Sequence, residues 1–131
     1  MSFKMKYQPI VLWCAAIIWM GLIFYLSSIP SFPVDLSDEG YNVTSSLVHI
    51  LLYFILAWLL IAALLSNGIK SGYAFFGGFL LAIIYGATDE WHQSFVPGRE
   101  AHLSDWLLDV AGAYMVLSFY TFYYRQKKRI K

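Results

Sequence analysis

Residues 47–65 of this 131-residue chain, LVHILLYFILAWLLIAALL, decide how the rest of the sequence is interpreted. The run contains one charge-bearing residue, His49, and its length matches the about 20 apolar residues with which a helix crosses a hydrocarbon core of roughly 30 Å. The chain around it is apolar as well, since 60% of its residues are hydrophobic and 13% are charged. This composition is atypical of a soluble domain, so a lipid bilayer is the expected solvent.

Three further runs have a similar character, at residues 10–26, 73–92 and 106–124. The first contains no charge, the second ends in a polar turn at the interface, and the last has one internal acid, Asp109. We therefore predict an all-α, polytopic membrane protein whose four transmembrane helices form a compact bundle and a single domain over residues 1–131.

Lysine and arginine are distributed unevenly between the two sides that four crossings create. Of the nine basic residues, Arg99 is the exception, and the others lie on one side: Lys4, Lys6, Lys70, Arg125, Lys127, Lys128, Arg129 and Lys131. Because an excess of lysine and arginine marks cytoplasmic segments, both termini are expected in the cytoplasm. Every acidic residue lies on the opposite side: Asp35, Asp38, Glu39, Asp89, Glu90, Glu100, Asp105 and Asp109.

Two connections face outward in this topology. Residues 27–46 contain Pro30 and Pro33 and are predicted to be irregular or interfacial. Residues 89–104 are compact and rich in groups that take part in chemistry. A net charge of +1 without a clustered basic surface argues against nucleic acid as a partner.

Helical spacing brings polar residues of three spans to one level near the outer side. Gly78, Ala82 and Gly86 form a small-residue ridge that another helix can approach closely, and Glu90 continues it toward the bundle interior. Two further pairs lie four residues apart, each on one helix face: Asp105 with Asp109, and His49 with Tyr53. A carboxylate at membrane depth costs several kcal/mol unless it is paired, so these residues are functional candidates.

Arg99 is the expected partner of Glu90, Asp105 or Asp109, because its planar fork suits a carboxylate or a phosphate. A structural salt bridge and a ligand-binding role are both open for it. Glu90 and His49 are likewise either interhelical hydrogen-bonding groups or acid-base groups. The three histidines have no tight ligand spacing such as HExxH, so no metal and no cofactor is predicted.

The stretch 89–99, DEWHQSFVPGR, followed by Asp105 and Gly112, resembles the signature of the VanZ-like family of small bacterial membrane proteins. The resemblance also includes residues 27–30, SSIP, and His49 with Tyr53. Two positions depart from the family pattern, which often has lysine in place of Ser46 and asparagine in place of Asp109.

The resemblance implies action at the extracytoplasmic face of the bacterial cytoplasmic membrane, and the namesake is associated with resistance to the lipoglycopeptide teicoplanin. One hypothesis is a protein that binds or remodels a lipid or cell-envelope ligand and lowers susceptibility to such antibiotics. The ligand-binding residues would be Arg99, Gln93, Asp109 and Tyr53. Partners would be membrane lipids and a lipid-linked cell-wall precursor or a lipoglycopeptide, with the oligomeric state open.

The alternative is an intramembrane acid-base enzyme, a hydrolase or transferase acting on a lipid-linked envelope substrate. Glu90 or Asp105 would then be the general base, His49 its acid-base partner, and Arg99 the group that stabilises developing negative charge.

Overall fold

A computed structural model describes residues 8–30 and 39–129, with side chains for residues 8–30 and 45–123. Four α-helices account for nearly all of this part: α1 (Gln8–Ser27), α2 (Glu39–Ser66), α3 (Ser71–Gln93) and α4 (Leu103–Arg129). The described residues contain no strand, which confirms the all-α prediction. Some of the charged residues used for the topology prediction lie outside the described residues: Lys4, Lys6, Asp35, Asp38 and Lys131.

Three of the helices are long and apolar enough to cross a membrane: α1, the Ser45–Ser66 part of α2, and α3. This supports the prediction of a membrane protein. The described part of α4 is not among them, because Asp105, Asp109 and several tyrosines lower its apolar character. The fourth crossing and the orientation of the termini therefore stay predictions.

The second helix begins earlier than its apolar run. Residues 27–46 were predicted to be irregular, whereas α2 already starts at Glu39. An acidic residue at a helix N-terminus is favoured by the helix dipole, and no proline lies within Glu39–Ser66 to interrupt the turns. Hydropathy locates the apolar segment of this helix but not its polar first turns. The third helix does include the polar turn predicted for it, since it ends at Gln93.

Within the described residues, every pair of helices is in contact except α1 and α4, so α2 and α3 separate these two. The core is formed mainly by α2, whose buried residues include Tyr53, Leu56 and Ile61. Side chains such as Ile18, Phe76 and Phe119 are large, apolar and exposed on the outside of the bundle, as is expected where lipid rather than water surrounds a helix.

Small residues set the closest approaches between helices. Gly78 faces the backbone of Ile61, because a Cβ atom at Gly78 would lie 2.9 Å from the Ile61 nitrogen. Gly112 of α4 faces Ile50 of α2, where a Cβ atom would overlap the carbonyl group of Ile50. The predicted ridge of small residues is confirmed, since Gly78, Ala82 and Gly86 are all buried.

Gly112→Ala is expected to destabilise the bundle by about 1–3 kcal/mol, because the added methyl group must push the α4 backbone away from α2. Gly72→Ala is the matched control, since nothing lies within 4 Å of a Cβ atom there. Thermal unfolding in detergent micelles, followed by circular dichroism, measures both variants. Equal melting temperatures for the two would contradict the close approach at Ile50.

Candidate functional site

Polar side chains gather at one end of the bundle, where α1 and α3 end and α4 begins. We call this region the polar end and define it by seven residues: Ser27, His49, Asp89, Glu90, Gln93, Arg99 and Asp109. Most of these side chains are buried. Burying an ionisable group in an apolar bundle costs free energy unless it is paired, so the contacts of each residue indicate its role.

A short contact between His49 and Asp109 joins α2 to α4. His49 Nδ1 lies 2.9 Å from Asp109 Oδ1, which is a hydrogen-bond distance. The Asp109 side chain is 0% exposed and that of His49 is 15% exposed. The sequence suggested Arg99 as a partner for Asp109, and this is wrong, because the imidazole of His49 occupies that place. The second oxygen, Asp109 Oδ2, has no hydrogen-bond partner among the described residues.

Glu90 approaches the same pair from α3. It is 7% exposed, which agrees with its predicted direction toward the bundle interior. The backbone N–H of His102 donates to Glu90 Oε2 at 3.2 Å, and the amide of Gln93 lies 3.4 Å from Oε1. One ligand atom each from His49, Glu90 and Asp109 lie within 4.8 Å of one another. Three helices therefore bring a histidine and two carboxylates together.

Arg99 joins the loop after α3 to the end of α1. Its Nε donates to the carbonyl of Ile29 at 2.9 Å, and its Nη2 donates to the carbonyl of Leu26 at 3.1 Å. A third bond runs from Nη1 to Gln93 Oε1 at 3.3 Å. The guanidinium thus donates to the carbonyl of Leu26 near the end of α1 and to that of Ile29, two residues beyond it, where intrahelical donors run out. The predicted salt bridge from Arg99 to Glu90, Asp105 or Asp109 is thus replaced by a cap on α1.

A second set of buried hydrogen bonds is centred on Asp89. Ser27 Oγ donates to Asp89 Oδ1 at 2.7 Å, and Gln93 Nε2 donates to Asp89 Oδ2 at 3.1 Å. Sequence reasoning did not select Asp89 or Ser27 for the site. The sequence did contain indications for both residues. Asp89 and Gln93 are four residues apart on one helix, and Ser27 directly follows an apolar span.

The other two predicted site residues have different surroundings. Tyr53 is 1% exposed, and its hydroxyl group has no partner among the described residues. Gly86 lies beside it, because a Cβ atom at Gly86 would be 3.2 Å from Tyr53 Cε1 and 3.2 Å from Asp109 Oδ2. Asp105 is half-buried in the first turn of α4, where the helix dipole favours an acid. It does not belong to the group formed by His49, Glu90 and Asp109.

A groove of about 330 Å³ runs between α1 and α3 beside the polar end, lined chiefly by Phe24, Tyr85, Asp89, Trp91, His92 and Phe95. His92 is stacked on Phe24 with ring centroids 4.3 Å apart, and its Nε2 lies 3.0 Å from Ser28 Oγ. His92 is half-buried at this groove. Most of the groove lining is aromatic, and His92 and Asp89 are among its polar residues.

The sequence model of the family described as VanZ/LLP1 matches residues 12–124. No curated protein matches, and no solved structure matches.

Arg99→Lys is expected to lower the stability of the bundle by about 1–2 kcal/mol, because one ammonium group cannot reach two carbonyls and an amide oxygen at once. Lys70→Gln is the control, since Lys70 is exposed near the opposite end of the bundle and makes no side-chain cap bond. Thermal unfolding of both purified variants measures the difference. A melting temperature of Arg99→Lys that equals that of the unaltered chain would refute the capping role.

Proposed function

The chain belongs to the VanZ/LLP1 family, and we propose that it is a four-span protein of the bacterial cytoplasmic membrane that binds an amphiphilic cell-envelope ligand at its polar end. The observation that carries the proposal is the groove between α1 and α3, in which aromatic walls meet polar side chains. The ligand class is a lipid or a lipid-linked molecule, and the place of action is the extracytoplasmic face.

The proposal that α4 is the fourth membrane-spanning helix depends on the length over which α4 packs beside α3. At the polar end, Trp106 Nε1 donates to the Ile83 carbonyl at 3.0 Å. Toward the opposite end, the rings of Phe75 and Tyr120 lie 5.1 Å apart. A helix that follows a membrane-spanning neighbour over this length occupies the same depth of the bilayer. With four crossings, the basic residues lie mostly on the side of the membrane opposite the polar end, and this side is expected to be cytoplasmic, together with both termini.

The groove combines two kinds of surface that an amphiphile needs. Trp91 and Phe95 are exposed and meet edge to face with ring centroids 5.4 Å apart, so they offer an apolar wall to an acyl chain. His92 lines the same groove and offers a hydrogen-bonding group to a head group, and Asp89, whose carboxylate is buried, contributes to the lining. Aromatic rings near a membrane interface suit such a ligand, because one end of it is apolar and the other is hydrated.

Arg99 enters this proposal as a positioning residue. It holds Leu26 and Ile29 at the end of α1, and Phe24 of the same helix is one wall of the groove. Three of the five N–H groups of a guanidinium are used in these bonds and in the bond to Gln93. Arg99 therefore acts on the groove through the placement of α1 and not by contact with the ligand.

Lower susceptibility to lipoglycopeptides such as teicoplanin follows as a further part of the proposal. These antibiotics carry a lipid chain and act on cell-wall precursors at the outer surface of the membrane. A groove that takes up the lipid chain, or a lipid-linked precursor, would reduce the amount of complex that forms there.

The contact between His49 and Asp109 favours a second candidate, an intramembrane acid-base enzyme acting on a lipid-linked substrate. A carboxylate that binds Nδ1 orients an imidazole and leaves Nε2 for proton transfer. Glu90 lies close enough to share that role. In this version Asp109, rather than Asp105, is the partner of the histidine, and Arg99 acts through the placement of α1.

Retention of lipid tests the binding proposal. The purified chain, washed in detergent after expression in bacteria, is expected to retain about one polar lipid per chain, detected by native mass spectrometry. His92→Gln should retain at least fivefold less, because the groove loses a polar group and a ring stacked on Phe24. His102→Gln is the matched control, since His102 is exposed and outside the groove.

Equal retention by His92→Gln and the unaltered chain would overturn the groove as the binding site. Conversion of an added lipid-linked substrate by the unaltered chain, lost in a folded His49→Ala variant, would favour the second candidate.

Expression of the chain in a susceptible bacterium is expected to raise the inhibitory concentration of teicoplanin at least fourfold and to leave that of a glycopeptide without a lipid chain unchanged. The reason is that the groove recognises the lipid part. His92→Gln should abolish the increase, at an equal amount of protein in the membrane fraction. An unchanged inhibitory concentration despite full expression would contradict the resistance part of the proposal.

A further inference from the structure

We propose that His49, Glu90 and Asp109 form a binding site for one divalent transition metal ion, with Zn²⁺ as the best fit. We call these three residues the metal centre. The site lies between α2, α3 and α4 and is distinct from the groove between α1 and α3. It does not depend on the proposed function, because an ion can bind there whether or not the groove holds an amphiphile.

The first support is the geometry of the three donors. One ligand atom from each residue of the metal centre lies within 4.8 Å of the others. Ligands around a tetrahedral Zn²⁺ ion lie at about 2.0–2.2 Å from the metal, which separates them from one another by roughly 3.5 Å. Rotamer adjustments of about 1 Å would bring the three donors to those distances. Three protein ligands leave one position for water or a substrate.

The second support is a pair of buried atoms that the protein leaves without hydrogen bonds. Asp109 Oδ2 and the hydroxyl oxygen of Tyr53 have no partner among the described residues. Asp109 is 0% exposed and Tyr53 is 1% exposed. Buried polar atoms are normally satisfied, because an unmet one costs about 1–3 kcal/mol. An ion at the metal centre would coordinate the carboxylate, and water bound to that ion would meet the phenol.

The third support is the local charge. Asp89, Glu90 and Asp109 are all buried at the polar end. Among the basic side chains that the structure describes, Arg99 is the one at this end, and its bonds go to α1 carbonyls and to Gln93. The imidazole of His49 supplies at most one positive charge. A divalent cation would offset the remaining negative charge in a part of the bundle that water reaches poorly.

Gly86 keeps space open beside the metal centre. A Cβ atom at this position would come within 3.2 Å of Asp109 Oδ2 and within 3.3 Å of Trp106 Cδ1. These distances are tighter than ordinary contacts of a methyl group. An alanine would therefore take up room that the carboxylate needs if it is to turn toward an ion.

The donor types select the class of ion. Imidazole suits Zn²⁺ and other transition metals, whereas Mg²⁺ and Ca²⁺ prefer sites made of oxygen ligands alone.

Isothermal titration calorimetry of the full chain, purified in detergent with a histidine-free tag and stripped with a chelator, tests the proposal. Zn²⁺ is expected to bind at one ion per chain, and Mg²⁺ at the same concentration is expected not to bind. Elemental analysis of the dialysed protein checks the stoichiometry independently.

Asp109→Asn keeps the shape of the side chain and Gly86→Ala keeps all three donors, so each variant tests the site without removing the fold. Both should raise the Kd for Zn²⁺ at least tenfold. The double variant Glu100→Gln with His102→Gln is the matched control, since these exposed groups form an acid-histidine pair at 3.5 Å outside the metal centre.

Unchanged affinity in the control supports the site. The absence of stoichiometric Zn²⁺ binding by the unaltered chain would overturn it. So would equal affinity in Asp109→Asn with normal helicity, or loss of binding in the control alone.

Discussion

A buried carboxylate on α4 constrains the bundle more than any other single group. Asp109 is fully enclosed, and an enclosed acid in an apolar bundle is costly unless a partner stands at the same depth. His49 meets this requirement from α2. The contact sets how far the two helices are shifted along each other, and Gly112, about one turn further along α4, then faces Ile50 at close range. Glu90 and the end of α3 are positioned around this pair.

Periodicity and hydropathy were sufficient for the helices and for the level at which the polar residues gather. The ridge of Gly78, Ala82 and Gly86 is buried, and Glu90 follows it into the bundle. Hydropathy was less useful at the start of α2, because polar turns can extend a helix beyond its apolar segment. It also leaves the crossing of α4 open, since an acid and several tyrosines make the apolar signal of that helix weak.

Partner choice inside the candidate site could not be predicted from the sequence. Charge alone predicts that Arg99 pairs with an acid. Backbone carbonyls at the end of α1 compete for the same donors, but backbone groups leave no distinctive residue type in the sequence. His49 and Asp109 are 60 residues apart in the sequence, so no short motif indicates that they are neighbours. The contact of His92 with Phe24 is also absent from the sequence pattern, because it arises only when α1 packs against α3.

The cap on α1 also has a consequence for the order of biogenesis. The carbonyls of Leu26 and Ile29 precede Arg99 by 73 and 70 residues, so α1 is synthesised and inserted long before its terminal donor exists. Until the loop after α3 has been synthesised, these carbonyls must be satisfied by other donors, such as water, in place of the guanidinium. The end of the first helix is therefore completed only after the third has been inserted, and the assembly of this region is a late event in the maturation of the chain.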